Sequence, residues 1–193
     1  FVGLLSARAT DRQVLFRDDF DSLNQWQPLH FPKIEAHTRY EIVEEGSNAF
    51  LRAHSQSAAS AIVRPEPYDV YAYPRIRWRW KVDGVLEKGD ATRKQTDDYP
   101  VRVYVMFLYE PEHASRARRL KYGLAKKIIG EYPPDSTLNY FWANRAHDQR
   151  ILTNPYAKEA KMIVLRTGPC ETGQWVEESV NVIDDYREAF GMD

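Results

Sequence analysis

The sequence is poor in the features that usually announce a function. It has a single cysteine, Cys170, in a Gly-Pro-Cys turn, which excludes an intrachain disulfide and any metal site built from several thiolates. Cys170 also has no sequence-local cationic neighbour to lower its pKa, so nucleophilic thiol chemistry is not expected of it. Glycine is scarce, at 9 of 193 residues, and the prolines are scattered, which removes collagen-like and low-complexity classes. No apolar run approaches the ~20 residues that cross a bilayer. Charge of one sign is missing as well: 27 Lys plus Arg face 28 Asp plus Glu, a formal net charge of -1. No global field draws the chain to nucleic acid or to an anionic membrane, and any preference for anions must be local. There is no Gly-x-Ser-x-Gly elbow, Walker loop, dinucleotide fingerprint or His-Glu-x-x-His helix, and the five histidines share no metal-ligand spacing. No cofactor is expected.

What is present is a repeated short alternation. Apolar and polar residues alternate over 14–19, 40–45, 50–55, 59–64, 75–82, 101–109, 139–143, 161–167 and 175–182, each run reading as a strand. Turn chemistry separates them, in Glu45-Gly-Ser-Asn, Pro65-Glu-Pro, Val82-Asp-Gly, Asn154-Pro and Thr167-Gly-Pro. Regular helical crossovers are missing. The expected fold is therefore all-β, a jelly-roll-like antiparallel sandwich of two sheets, forming one domain over residues 10–193. One segment breaks the pattern. Over 112–129, Ala117, Leu120, Leu124 and Ile128 fall three or four apart among Arg116, Arg118, Arg119, Lys121, Lys126 and Lys127, which predicts an amphipathic helical insertion stopped at Gly130. Residues 1–9, FVGLLSARA, have the form of the tail of a signal peptide with an Ala-x-Ala cut at Ala7 and Ala9. A mature start near Thr10 and a periplasmic or secreted address are the corresponding expectations.

The stretch YPRIRWRWKVDG at 73–84 places Arg75, Arg77, Arg79 and Lys81 on every second residue, with Ile76, Trp78, Trp80 and Val82 between them. A strand with a side-chain period of 2 sends the bases to one face and the apolar residues to the other. In the run at 101–109, Val101, Val103, Val105 and Phe107 share one side and Arg102, Tyr104, Met106 and Leu108 the other. If valines and tryptophans both face the core, Arg77, Arg79, Arg102 and Tyr104 are expected together on a second, outward surface. Cations that close need carboxylates or an anionic ligand; Glu41, Glu177 and Glu178 are internal candidates. The functional reading is a shallow groove in which Arg forks hold acidic or hydroxyl-rich groups, with Asp97 and Asp98 orienting the bases and Tyr140 or Trp142 stacking on a sugar ring.

Acidic residues also cluster. Asp97-Asp98 precedes the 101–109 run and Asp184-Asp185 follows the 175–182 run. Glycoside hydrolysis needs two carboxyls facing each other at ~5 to 10 Å. Neighbouring strand residues point oppositely, so only one member of each pair meeting across a sheet would supply that couple. The alternative is that Asp97 or Asp98 neutralises nearby arginines and that Asp184 or Asp185 opens a C-terminal turn. Asp18, Asp19 and Asp21 offer oxygens for a calcium ion without a full loop motif.

The blocks FRDDFDSLNQW at 16–26, YPRIRWRWKVD at 73–83, DDYPVRVYVMF at 97–107, LNYFWAN at 138–144 and GQWVEESVNVIDDYREAFG at 173–191 together resemble a bacterial family catalogued as domain of unknown function 3047. The resemblance implies an exported bacterial protein and transfers no catalytic residue. In layout, the Asp-Phe-Asp with a following Trp and the closing Trp strand are similar to carbohydrate-binding jelly rolls and lectin-like glucanase sandwiches, a likeness of architecture only. The expected function is non-catalytic binding of a saccharide or another anionic or polar envelope component. Two alternatives stand beside it: a carbohydrate-active hydrolase or lyase using Asp97 or Asp98, and an envelope protein-interaction module using the basic helix.

Overall fold

The computed structural model of the chain describes residues 13–31, 34–46, 48–129 and 132–191. The expected leader at 1–9 lies outside the described residues, as do Gly130 and the side chain of Ile128. The described residues are mostly β, 34% strand and 14% helical, and the chain divides into two compact units, Phe1–Tyr73 and Pro74–Asp193.

In the first unit, β1 (Gln27–His30) pairs antiparallel with β4 (Ser60–Val63), and β2 (Arg39–Glu45) with β3 (Asn48–His54). Gly46, after β2, has φ +64°, a conformation open to glycine at little steric cost. Tyr40 donates its hydroxyl to the Ser60 carbonyl at 2.8 Å, tying β2 to β4. The alternation at 14–19 does not make a strand. The Asp18 carboxylate accepts from the Phe20 backbone N–H at 2.8 Å and from the Trp26 indole at 2.7 Å, and this local bonding turns the chain before it finds a ladder partner.

In the second unit, β5 (Arg75–Trp80) pairs antiparallel with β10 (Val176–Asn181). A four-stranded sheet runs in the order β6 (Arg102–Phe107), β7 (Ser136–Ala143), β9 (Ala160–Thr167), β8 (Ile151–Thr153). The two sheets meet through aromatic rings. Trp78 lies 5.7 Å from Tyr140, Trp80 lies 6.2 Å from Trp142, and Trp80, Val82, Trp142 and Val176 form one buried cluster with Val101 and Val103 against it. Truncating a buried Trp of this kind costs about 3–5 kcal/mol, so this aromatic layer is a principal source of cohesion in the unit.

The expectation of wholly antiparallel sheets is corrected at one pair: β7 and β9 run parallel. A parallel neighbour requires the chain to be carried back to its starting end. Here β8 is the return. It leaves β7, runs down the far edge antiparallel to β9, and lets β9 insert between β8 and β7. The other face of this sheet is covered too, by a cluster of Ala91, Tyr99, Phe141, Ala143 and Met162. Leu138 through Ala143 are accordingly buried without alternation, as expected of a strand covered on both sides.

The expectation of one helix also needs correction, because a second follows β10. α1 (Arg116–Ile129) forms within the predicted span, but not with the predicted inner face. Leu120 and Leu124 are 68% and 54% exposed, while Tyr122 is buried and stacks on Tyr109 at 4.2 Å. Arg118 holds that side down by donating to the Asp135 carbonyl at 2.9 Å and pairing with its carboxylate at 3.0 Å. An aromatic ring and a bidentate cation outcompeted the leucine stripe. α2 (Val182–Phe190) starts at Asn181, whose side chain accepts from Ile183 and Asp184 N–H, and ends at Gly191 in the left-handed region with φ 65°. The sequence carried this signal in full: an Asn cap, Asp184 and Asp185 in the first turn, and a glycine at the end.

Candidate functional site

The β5 strand presents its bases as the alternation requires. Arg75, Arg77 and Arg79 are exposed while Trp80 is buried, and Lys81 continues the exposed series beyond the strand. The antiparallel register aligns a second column beside the first: Arg75 faces Asn181, Arg77 faces Ser179 and Arg79 faces Glu177. Trp175 is next along, 42% exposed, with the Arg79 guanidinium 5.7 Å and the Lys81 ammonium 5.5 Å from its ring centroid. Among the described residues no carboxylate comes within 4.0 Å of Arg75, Arg77, Arg79 or Lys81. Cations on alternate residues stand ~7 Å apart, and each adjacent pair repels by roughly 0.6 kcal/mol in water before salt screens it.

The internal partners suggested by sequence are engaged elsewhere or fall short. Glu41 pairs with Arg39 and Arg52 in the first unit. Glu178 is buried, where it accepts from the Trp80 indole at 3.1 Å and from Arg166 at 2.8 Å. Glu177 shares the outer face and forms no ion pair there among the described residues.

Arg102 and Tyr104 do not join this surface. Val103 and Trp80 point into the same core from opposite sheets, so Arg102 and Tyr104 project from the far side of the four-stranded sheet, away from Arg77 and Arg79. The single groove expected from the sequence is thereby corrected. Alternation gives the facing of each strand, but β5 and β6 belong to different layers. Tyr140 and Trp142 are 0% exposed within the aromatic layer; they support the inner face of β5 and offer no ring to a ligand.

The Arg102 side is a clasp rather than an open ladder. Arg102 donates to the Tyr99 hydroxyl at 2.6 Å and lies over the Tyr99 and Tyr104 rings at 4.7 and 5.4 Å. Asp97 lies beside Tyr99 and Arg102, with its Oδ1 buried and unbonded among the described residues. Burial pulls the guanidinium pKa down, but Tyr104, Tyr99 and Asp97 outweigh it and hold the pKa above its usual value. Burial pushes the Tyr99 and Tyr104 phenols up. It also pushes the Asp97 carboxyl above its ordinary range, against the opposing effects of the neighbouring Tyr99 hydroxyl and of Arg102. Asn139, opposite Tyr104, is fully buried with neither amide atom bonded among the described residues. Asp98 is exposed, and it contributes its carbonyl, not its carboxylate, to the fold.

The loop that carries Asp97 and Tyr99 is pinned by one side chain. Asn144, just past β7, accepts from Leu86 N–H at 2.8 Å and donates to the Asp98 carbonyl at 2.6 Å. Gly89 passes so close that a Cβ there would fall 2.0 Å from the Asn144 amide nitrogen and 2.4 Å from the Asp98 oxygen. Asp90 fastens the loop interior, accepting from Thr92 N–H and Oγ1 at 3.0 and 2.7 Å and pairing with Arg145 at 2.6 Å. The Thr92 hydrogen bonds, with Arg145 and Arg93, hold its carboxyl below the usual range.

The acidic pairs do not meet. Asp185, on α2, is buried against Tyr140 and Arg150 at 3.0 and 2.6 Å. Tyr140 shares its side of the sheet with Val103, whereas Asp97 lies with Tyr99 and Arg102 on the other. The sheet separates the two carboxylates, so they do not form the facing couple of a glycosidase. Asp18 is engaged by Phe20 and Trp26, and no group of three or more His, Cys, Asp or Glu converges as a metal site among the described residues. The open cleft of about 400 Å³ beside α1 is lined by Arg118, Lys121, Lys158 and Glu159; two of its three cations already have carboxylate partners.

Trp175 is the functional candidate that sequence reasoning missed. The alternation at 175–182 makes it only the first residue of a strand, and its signal is its place beside Lys81, visible once the β5–β10 register is known. The family model described as protein of unknown function (DUF3047) matches residues 24–193, a span that reaches into both units. No curated protein and no solved structure matches the chain.

Proposed function

We propose that this chain, which belongs to the family described as protein of unknown function (DUF3047), is an exported protein that binds a saccharide or similar polar envelope component on the outer face of β5 without altering it. The observation that carries this reading is the row Arg75, Arg77, Arg79 and Lys81, exposed on a rigid strand, without ion-pair partners among the described residues, and next to a half-exposed tryptophan. Arginine forks recognise carboxylate and hydroxyl-rich groups directionally. The half-exposed Trp175 ring, with Arg79 and Lys81 over it, adds an apolar surface at one end of the row for a sugar ring. The strand is held from behind by Trp78 and Trp80 on Tyr140 and Trp142, so the backbone spacing of the row is fixed before binding, and only the side chains are ordered by a ligand. Export rests on the leader-like residues 1–9.

The test is a glycan array followed by thermal-shift titration of each hit, with the ligand recovered and weighed by mass spectrometry. An intact ligand and a shift abolished by Arg79→Ala in a folded variant support binding. An array with no hit on acidic or neutral glycans rejects it.

A catalytic reading has one observation in its favour, the raised pKa of the Asp97 carboxyl beside Tyr99 and Arg102, since perturbed carboxyls gather at active sites. Product formation from a hit glycan that disappears in Asp97→Asn would establish it, and unchanged ligand after prolonged incubation removes it.

A further inference from the structure

The geometry points to a polymer. We infer that the ligand of the β5 face is a linear acidic polysaccharide, carrying carboxylates along its length and lying parallel to the strand. The inference rests on the reading of this face as a saccharide site and adds the charge and the size of what it takes.

Three observations carry it. Arg75 to Lys81 are six residues apart on an extended segment, so the row spans about 20 Å, far more than one sugar ring can touch. The four cations stand in single file on one column, whereas the neighbouring column holds Asn181, Ser179, Glu177 and Trp175. A linear ligand placed along β5 would therefore have charges on one flank and an uncharged or apolar flank over Ser179 and Trp175. The Asn181 side chain is already occupied in capping α2, which leaves Ser179 and the Glu177 carboxylate to meet ligand hydroxyls, and Glu177 repels acid groups from that flank. Finally, Trp175 sits at one end of the row with two of the cations over it, so a sugar ring resting there directs the rest of the chain toward Arg77 and Arg75. A polymer gains from each further contact because its later anions bind as tethered groups at high effective concentration. A single charged sugar does not.

The experiment is calorimetric titration with galacturonic acid, hexagalacturonate, maltohexaose and inorganic polyphosphate against the wild-type protein, Arg77→Gln, Arg79→Gln and Trp175→Ala, at two salt concentrations. The variants are checked for folding by circular dichroism. The expected result is hexagalacturonate binding at least tenfold tighter than the monomer. That binding should weaken with salt, weaken at least fivefold in each Arg variant, and weaken in Trp175→Ala. Hexamer affinity no better than monomer affinity overturns the polymer. Maltohexaose binding as tightly as hexagalacturonate, with the same loss in Trp175→Ala, overturns the acidic ligand while leaving the saccharide face intact. Polyphosphate binding as tightly as hexagalacturonate, with neither affected by Trp175→Ala, overturns the saccharide and leaves a charge-only surface. If no probe binds, the inference fails, and the array above then decides whether the face binds saccharide at all.

Discussion

Two arginine environments in the second unit grow from the same kind of strand and end oppositely. On β5, the outward cations stand in water with no carboxylate at ion-pair distance among the described residues. On β6, Arg102 lies across two tyrosine rings, bonded to Tyr99 and close to a carboxyl that burial has made reluctant to ionise. The difference is what covers each strand. Among the described residues of the second unit no loop seals the β5 bases, which are exposed along the whole row. The segment before β6 folds back over that strand, brings Tyr99 and Asp97 to Arg102, and is locked by Asn144 and Gly89. A guanidinium becomes part of the fold where the chain supplies its partners, and remains available to a ligand where it does not.

Substitutions can break or sharpen this contrast. The largest effect is expected for Gly89→Ala, whose new methyl group must displace the Asn144 amide and the Asp98 carbonyl. The clasp should loosen, with a stability loss of about 2–4 kcal/mol by urea denaturation, and a wild-type denaturation midpoint would dismiss the pinned-loop account. Next comes Arg102→Ala, which strips partners from Tyr99 and Asp97 and should cost about 1–3 kcal/mol. If it proves as mild as Arg77→Ala, the two environments are not different in kind.

Asp97→Asn is smaller and has a defined pH signature. Its folded pKa is raised by burial, so the stability linked to this carboxyl is fully present below its unfolded pKa of about 3.9 and is lost as pH rises through the higher folded value. The Asn variant should therefore melt higher than wild type at pH 7, with the gap closing as pH falls below about 4. An Asn variant that melts lower at neutral pH would show that the charge on Asp97 is favourable where it lies. The smallest effect on stability belongs to Arg77→Ala and Arg79→Ala, within about 0.5 kcal/mol of wild type, and these same variants should show the largest loss of ligand.

The sequence made strand facing legible and left strand partnership hidden. The two-residue period of β5 placed every base and every tryptophan correctly, because facing is a local consequence of the pleat. That β5 pairs with β10, almost a hundred residues later, and that β6 lies in another layer, depends on long-range burial which alternation does not encode. The single groove fails for this reason, and the Arg102 face of β6, expected outward, is itself covered by the Tyr99 segment. β7 illustrates a different limit. Tyr140 and Trp142 are expected to be available because one side of a strand is usually wet, but with both faces covered there is no outward side to read. α2 was legible from its cap residues and was passed over because the 175–182 alternation ran up to it. The inner face of α1 was not legible: the stripe of leucines has the right period, yet Tyr122 and the Arg118–Asp135 pair decide which side is held.

The insertion of β9 between β7 and β8 also has a consequence in time. β9 is synthesised after both of its neighbours, so β7 leaves the ribosome with one edge bare and receives its parallel partner only when residues 160–167 follow. At ordinary rates of translation the delay is roughly one to five seconds. For that interval the nascent chain displays an unpaired row of backbone donors and acceptors along its most deeply buried segment, which is the kind of edge that recruits a second copy. Yield of folded protein should therefore be set by how quickly the 144–159 excursion closes, even though none of those residues contributes a cation to the β5 row.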